Sequence, residues 1–327
     1  MKALRILLAA LLLGIAAPAG AQQPASVNPR AMSVQEQQLL QQLREVDGRV
    51  SIPNQNAGVL IQPAGRDWRA FHQDTMTLIG AVAVLGIVAV LVLFYLVRGR
   101  IRIAAGPSGR TIQRFNGFER FVHWLTASTF VVLGISGLNI TFGKTLLLPL
   151  LGHEAFTSLS YVLKYAHNFL AFPFMLGVAL MLVIWIADNI PNGTDAKWFA
   201  AGGGLVGHGH PPAKRFNAGQ KLIFWTVVLG GIALSVTGFL LLFPLQFTNI
   251  AGMQLANIIH GVVGLLMIAV ILAHIYIGSV GMEGAFDAMG SGQVDLNWAR
   301  EHHSLWVEEQ AAKGRVAVPP RGAQAAE

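Results

Sequence analysis

The chain has 327 residues, of which 54% are hydrophobic and only 12% are charged, whereas a soluble domain carries about 25% charged residues. Its net charge of +7 would raise the question of nucleic-acid binding in a soluble protein, but in a membrane protein the charge has to be interpreted loop by loop. The absence of cysteine excludes disulfides, iron-sulfur clusters held by this chain and covalent haem attachment, so a redox cofactor needs histidine or methionine ligands.

The N-terminus has the three-part pattern of a cleaved secretory signal. Lys2 and Arg5 precede the apolar run Leu7–Ile15, and small residues follow at positions 19–21. Residues 1–21 are therefore predicted to be a signal peptide. Cleavage leaves an exported segment, residues 22–74, that is polar and rich in glutamine. The alternative is an uncleaved signal that anchors the chain.

Five apolar stretches follow, each long enough to cross a ~30 Å hydrocarbon layer with about 20 residues. The predicted spans are 77–97, 121–140, 161–186, 222–243 and 253–280. The sequence thus predicts an all-α membrane protein with three parts. These are an extra N-terminal transmembrane helix in residues 75–98, a four-helix core in residues 99–290 and a tail in residues 291–327.

Cationic residues orient these spans by the positive-inside rule. Residues 98–120 carry six arginines and residues 188–221 carry four lysines and arginines, whereas the connection 244–255 carries no charge. We therefore expect both charged loops and the C-terminal tail to be cytoplasmic. The N-terminus is expected to be periplasmic after signal cleavage, in a bacterial inner membrane.

Four of the ten histidines lie at or within predicted spans: His123, His167, His260 and His274. An intramembrane ionisable residue indicates function, because a buried polar ring is costly unless it has a partner. The alternative for any one of them is a hydrogen bond to a neighbouring carbonyl. His260 and His274 are fourteen residues apart, which is roughly 21 Å of helix and about 40° short of four turns. Both therefore face one side of the helix at different depths.

The direction in which each helix crosses the membrane determines the depth of its histidines, and so which histidines lie level with each other. The second span runs outward and the last runs inward, which places His123 level with His274, and His167 level with His260. This arrangement predicts a di-haem cytochrome b core with two b-type haems, each held by two histidines from different helices.

Two cations precede predicted ligands by one helical turn. Arg120 lies three residues before His123, and Lys164 lies three residues before His167, so both are candidates to bind haem propionates. Helix-end cations that reach toward water are the alternative. His153 is the main rival of His167 as a ligand. The remaining histidines are expected to be solvated: His72, His208, His210, His302 and His303.

Three short sequence runs form a recognisable combination. They are RFNGFERFVHW at 114–124, KRFNAGQK at 214–221, and a tail pattern from EGAFDAM at 283–289 to HHSLW at 302–306. This combination resembles the gamma subunit, or cytochrome b subunit, of respiratory formate dehydrogenase. Compact members of that family have only four spans, so residues 1–98 depart from the family's core.

The resemblance implies that the chain anchors an iron-sulfur beta subunit and a molybdenum or tungsten alpha subunit in the membrane. It implies four haem ligands at His123, His167, His260 and His274. It also implies a quinone site at Asn217, Gly219, Gln220 and His274. From the residues alone, Asn217 and Gln220 could equally form a helix-capping motif.

These observations predict electron transfer in anaerobic respiration, from the exported iron-sulfur subunit through two b haems to menaquinone or ubiquinone at the cytoplasmic side. Formate oxidation is expected on a partner, because this chain has no credible ligands for molybdenum or an iron-sulfur cluster. One alternative is the cytochrome b subunit of a nickel-iron hydrogenase or thiosulfate reductase. An alternative of another class is a cofactor-free membrane anchor or transporter.

Overall fold

The computed structural model describes residues 64–204, 209 and 211–317, together with residues 38 and 41. The predicted signal peptide, residues 1–21, lies outside the described residues. Most of the predicted exported segment, His208 and His210 also lie outside them.

Five of the described helices are long and apolar enough to cross a membrane. In chain order the helices are α1 (Gly65–Arg98), α2 (Gly117–Leu146), α3 (Leu148–Trp185), α4 (Gly193–Ala200), α5 (Ala218–Leu242), α6 (Ile250–Tyr276), α7 (Asp287–Gly290), α8 (Leu296–His302) and α9 (Ser304–Ala312). A π-helical turn, Ile277–Gly281, continues α6. The predicted helical membrane fold is confirmed, with α2, α3, α5 and α6 as the four-helix core and α1 as the extra helix.

Asparagine caps begin three of the four core helices. Asn116 accepts a hydrogen bond from the backbone N–H of Glu119, and Asn217 accepts one from that of Gln220. The Glu119 and Gln220 side chains accept in return from the cap backbone, which completes two capping boxes. Asn249 caps α6 through its side chain alone, which accepts a hydrogen bond from the backbone N–H of Gly252. Each cap stabilises its helix start by about 1 kcal/mol.

Helix α3 begins earlier than the sequence predicted. It starts at Leu148 rather than near residue 161, and it contains a kink at Gly152, where φ is 75°. Glycine adopts this left-handed conformation without the steric cost of a β-carbon. His167 consequently lies in the middle of a long helix and not at its start.

The buried hydrophobic core lies at the end of the bundle where α2 and α5 begin and where α3 and α6 end. We call this end of the bundle the tail end. The tail and the loop before α2 pack there around Phe115, Trp298 and Trp306. Two short strands that the sequence did not predict, β1 (Thr111–Gln113) and β2 (Gln293–Asp295), join them in an antiparallel pair. The opposite end, with the α2–α3 and α5–α6 connections, is called the far end.

The extra helix α1 packs along α6. Met76 is 2% exposed and lies against Gly261, and Phe94 makes an edge contact with Tyr276. Most other large apolar side chains of α1 are exposed, as expected of a helix that faces lipid. Contact with α6 ties α1 to the helix that carries two of the candidate haem ligands.

Candidate functional site

The four intramembrane histidines form two facing pairs. The ring centroids of His123 on α2 and His274 on α6 are 6.2 Å apart, and we call these residues the tail-end pair. The ring centroids of His167 on α3 and His260 on α6 are 6.1 Å apart, and these residues form the far-end pair. The structure thus brings together the same histidines that helix directions predict to pair.

The spacing of each pair fits two histidine ligands of one haem. An iron atom about 2 Å from one nitrogen of each imidazole would place the ring centroids about 6 Å apart. Among the described residues, no group of three or more histidine, aspartate or glutamate side chains could hold a metal ion. Haem needs only two ligands from the protein, because the porphyrin supplies the other four nitrogens, and each histidine pair could supply those two.

Hydroxyl groups hold the rings of the far-end pair. Ser136 Oγ lies 2.9 Å from His167 Nδ1, and Thr237 Oγ1 lies 3.0 Å from His260 Nδ1. Each hydroxyl also lies 2.7 Å from the carbonyl oxygen four residues earlier on its own helix, to which it donates its single proton. It therefore accepts a hydrogen bond from the Nδ1–H group of the histidine. The lone pair of Nε2 is left to bind a metal.

A glycine follows each of these hydroxyl residues and faces the same ring. A β-carbon on Gly137 would lie 3.5 Å from His167 Cε1, and one on Gly238 would lie 3.1 Å from His260 Cε1. Sequence reasoning did not single out Ser136, Thr237 or Gly238. The repeated hydroxyl-glycine dipeptide inside two apolar helices is the signal that could have found them.

The tail-end pair has a different environment. His123 Nδ1 is buried and has no hydrogen-bond partner within the described part of the chain. The ring of His123 instead packs against Trp124, whose Nε1–H donates to the carbonyl oxygen of Met289. His123 therefore differs from the histidines of the far-end pair, whose Nδ1 atoms lie against hydroxyl groups.

The two propionate candidates have separate surroundings. Arg120 Nη1 donates a 2.7 Å hydrogen bond to the carbonyl oxygen of Ser291 and so connects α2 to the tail. Lys164 is exposed on α3. Both remain one turn from a paired histidine, and their propionate role stays a prediction.

The three quinone-site candidates lie together at the start of α5. The side-chain oxygens of Asn217 and Gln220 form the capping box, and the face of Gly219 lies close to the Trp198 ring. The amide NH₂ groups of Asn217 and Gln220 make no hydrogen bond to any described residue. No described hydrogen bond or ring contact connects these residues to His274.

A buried cation lies next to these candidates. Arg114 Nη2 donates to the carbonyl oxygen of Arg215 at 2.6 Å, and it lies 3.0 Å from His303 Nε2 and 3.4 Å from Gln220 Oε1. Burial, reinforced by the Arg215 guanidinium, lowers the pKa of Arg114 to about 9, so the side chain stays protonated at neutral pH. Its charge is also stabilised by the faces of Phe115, Trp298 and Trp306.

The prediction that His303 is solvated is wrong. The residue is fully buried, and its Nδ1–H donates to the carbonyl oxygen of Lys214 at 2.8 Å. Burial and the nearby charge of Arg114 lower the pKa of His303 well below its usual value, so the ring is neutral and Nε2 accepts from Arg114. The burial of His303 could not be predicted from the polar sequence of the tail, because its partners Arg114 and Lys214 come from distant loops.

The other histidines that the structure describes take no part in either pair. His153, the rival ligand, is exposed on α3. His302 packs against Trp298 in the tail, and His72 packs against Trp68 near the start of α1.

Two facing histidine pairs between membrane-spanning helices are an arrangement that suits a b-type membrane cytochrome. The family model described as prokaryotic cytochrome b561 matches residues 114–292, more than half of the chain, and the chain belongs to this family. The match includes all four core helices and all four paired histidines. Helix α1 and the tail helices α8 and α9 lie outside it.

Similar proteins agree with this family. The nitrate-inducible formate dehydrogenase cytochrome b556(Fdn) subunit of Escherichia coli K12 is 27% identical over 212 residues, covering 61% of this chain and 92% of the relative. The formate dehydrogenase cytochrome b556(fdo) subunit of the same strain is 27% identical over 203 residues, covering 61% and 93%. The formate dehydrogenase cytochrome b556 subunit of Haemophilus influenzae is 28% identical over 198 residues, covering 58% and 80%. The resemblance predicted from the three sequence runs is confirmed.

Proposed function

We propose that the chain is the cytochrome b subunit of a formate dehydrogenase and conducts electrons from an exported iron-sulfur subunit to a quinone. The observation that carries the proposal is the presence of two facing histidine pairs, with ring centroids 6.1 and 6.2 Å apart, at two depths of one helical bundle. Similarity to formate dehydrogenase subunits supports formate as the source of the electrons.

Two b-type haems are proposed, one between the histidines of each pair. When bound, haem supplies a one-electron carrier at each depth. The chain's own residues supply four imidazoles and separate the two proposed centres by roughly 21 Å along α6. Arg120 and Lys164 are the proposed propionate partners.

The proposed orientation places the tail end in the cytoplasm and the far end outside, in a bacterial inner membrane. The arginine-rich loop before α2 supports this orientation by the positive-inside rule. The exported segment, residues 22–74, would follow signal cleavage after residue 21. The iron-sulfur subunit and the subunit with molybdenum or tungsten would then meet the far end.

The proposed quinone site is the start of α5, formed by Asn217, Gly219 and Gln220, at the same end of the bundle as the tail-end pair. Capping and quinone binding are compatible there, because capping uses the amide oxygens and leaves the NH₂ groups as donors. A quinone carbonyl needs such donors. The absence of a side chain on Gly219 lets the Trp198 ring pack against the start of α5, beside these donors.

Replacing Asn217 with aspartate tests the donor. Aspartate keeps the oxygen that caps α5 but removes the NH₂ group, so the helix start is preserved and one hydrogen bond to the quinone is lost. A loss of about 1 kcal/mol raises the KM for quinone roughly fivefold. Steady-state quinone reduction by the purified complex measures this change.

Asn116→Asp is the matched control. Asn116 caps α2 in the same way at the same end of the bundle, but it is not assigned to the quinone site. Its KM for quinone is expected to stay at the wild-type value. Equal effects of the two substitutions would contradict the assignment of Asn217.

The function itself is tested by purifying the full chain in mild detergent, identifying its associated subunits and measuring formate-driven reduction of a soluble quinone analogue. The proposal expects formate dehydrogenase alpha and beta subunits and formate-dependent activity. A copurified hydrogenase or thiosulfate reductase would replace it with the corresponding cytochrome b assignment. A folded chain without haem would favour a membrane anchor or transporter.

A further inference from the structure

We propose that Ser136 and Thr237 are positioning residues that set the reduction potential of the far-end centre below that of the tail-end centre. The inference rests on the proposed function, because it requires haem between the histidines of each pair. It assigns a role to two side chains that do not touch the iron.

The two hydroxyls make the same double contact. Each donates to the backbone carbonyl four residues earlier and accepts the Nδ1–H of a paired histidine, at 2.9 Å for Ser136 and 3.0 Å for Thr237. Ser136 is fully buried and Thr237 is 6% exposed, so water does not compete strongly for these contacts. Both histidines are therefore held in the tautomer that presents Nε2.

A hydrogen bond donated by the far nitrogen of an imidazole makes the ring a more basic ligand. A more basic ligand stabilises ferric over ferrous iron, and hydrogen bonding around the ligands is a known lever on haem potential. Both ligands of the far-end pair have this hydrogen bond. The far-end centre should consequently be the harder one to reduce.

The tail-end pair lacks this support. His123 Nδ1 has no hydrogen-bond partner within the described residues, and the ring of His274 makes no hydrogen bond there. The two centres thus differ in the surroundings of their ligands, although both have two histidines. The difference favours electron flow from the far end toward the tail end.

Ordinary helix packing does not account for the arrangement. Serine and threonine inside membrane helices commonly satisfy themselves by bonding to the carbonyl of the preceding turn, as Thr129 on α2 and Ser235 on α5 do here. Within the described part of the chain, neither of those two residues is hydrogen-bonded to a histidine. Ser136 and Thr237 differ from them in the second contact and in the glycine that follows each and faces the ring.

The test is a potentiometric titration of the purified full chain with its haems. Ser136→Ala and Thr237→Val should each raise the midpoint potential of the far-end haem and leave the midpoint potential of the other haem unchanged. Valine is chosen because it keeps the shape of threonine. The double variant should show the larger shift. The far-end haem is identified as the one that remains in His274→Ala.

Four control variants separate hydrogen bonding from packing. Ser136→Thr and Thr237→Ser keep a hydroxyl and should retain the wild-type potentials, and Thr129→Ala and Ser235→Ala should do the same. Unchanged potentials in Ser136→Ala and Thr237→Val, or equal shifts of both haems, would overturn the inference while leaving the proposed function intact. A wild-type chain that binds no haem would instead overturn the proposed function.

Discussion

Replacing His274 with alanine is expected to remove one of two haems and to abolish quinone reduction, while the second haem remains. The ring of His274 faces the ring of His123, so loss of His274 leaves the tail-end centre with one protein ligand. The far-end pair, held by Ser136 and Thr237, is roughly 21 Å away along α6. Haem content, the reduced-minus-oxidised spectrum and the rate of quinone reduction measure the effect.

His153→Ala is the control for the loss of a histidine. His153 is exposed and contributes to neither pair, so the variant should keep two haems and the wild-type rate. If His274→Ala also kept two haems and normal quinone reduction, the assignment of the tail-end pair would be wrong.

Replacing Arg114 with alanine is expected to lower the free energy of unfolding by about 3 kcal/mol, since it creates a cavity and leaves buried acceptors unpaired. Arg114 bonds to the Arg215 carbonyl oxygen and to His303 Nε2, and it packs against three aromatic rings. The tail should detach more readily from the start of α2. Thermal unfolding in detergent and limited proteolysis of the tail measure these changes.

Arg110→Ala provides the comparison. Arg110 also bonds to the tail, through the carbonyl oxygen of Ala317, but it does so at an exposed position. Its removal is expected to change stability by no more than about 0.5 kcal/mol. Equal stability of the Arg114 and Arg110 variants would show that the buried cation does not hold the tail.

The membrane helices and the facing histidines could be predicted because they follow from properties that can be read along the sequence: the length of apolar stretches, the spacing of residues on a helix and the charge of loops. Apolar length identified the spans, and the fourteen-residue spacing of His260 and His274 placed both on one side of α6. Loop charges then gave helix directions, which decided how His123 and His167 pair. The early start of α3 was missed, since its kink depends on the single backbone conformation of Gly152.

Contacts between distant polar residues could not be predicted in the same way. His303 lies in a tail that is polar in sequence, but Lys214 and Arg114 come from two other loops and bury it. Ser136 and Thr237 appear as isolated polar residues in apolar helices. Their role depends on which helix lies opposite, and that is a property of the folded bundle.

The two histidine pairs are tested as haem ligands by the amount of non-covalent b-type haem in the purified full chain, together with the spectrum of the reduced protein. We expect two haems per chain, each with two histidine ligands and a low-spin spectrum. A correctly folded chain from iron-replete cells that contains no haem would contradict this expectation.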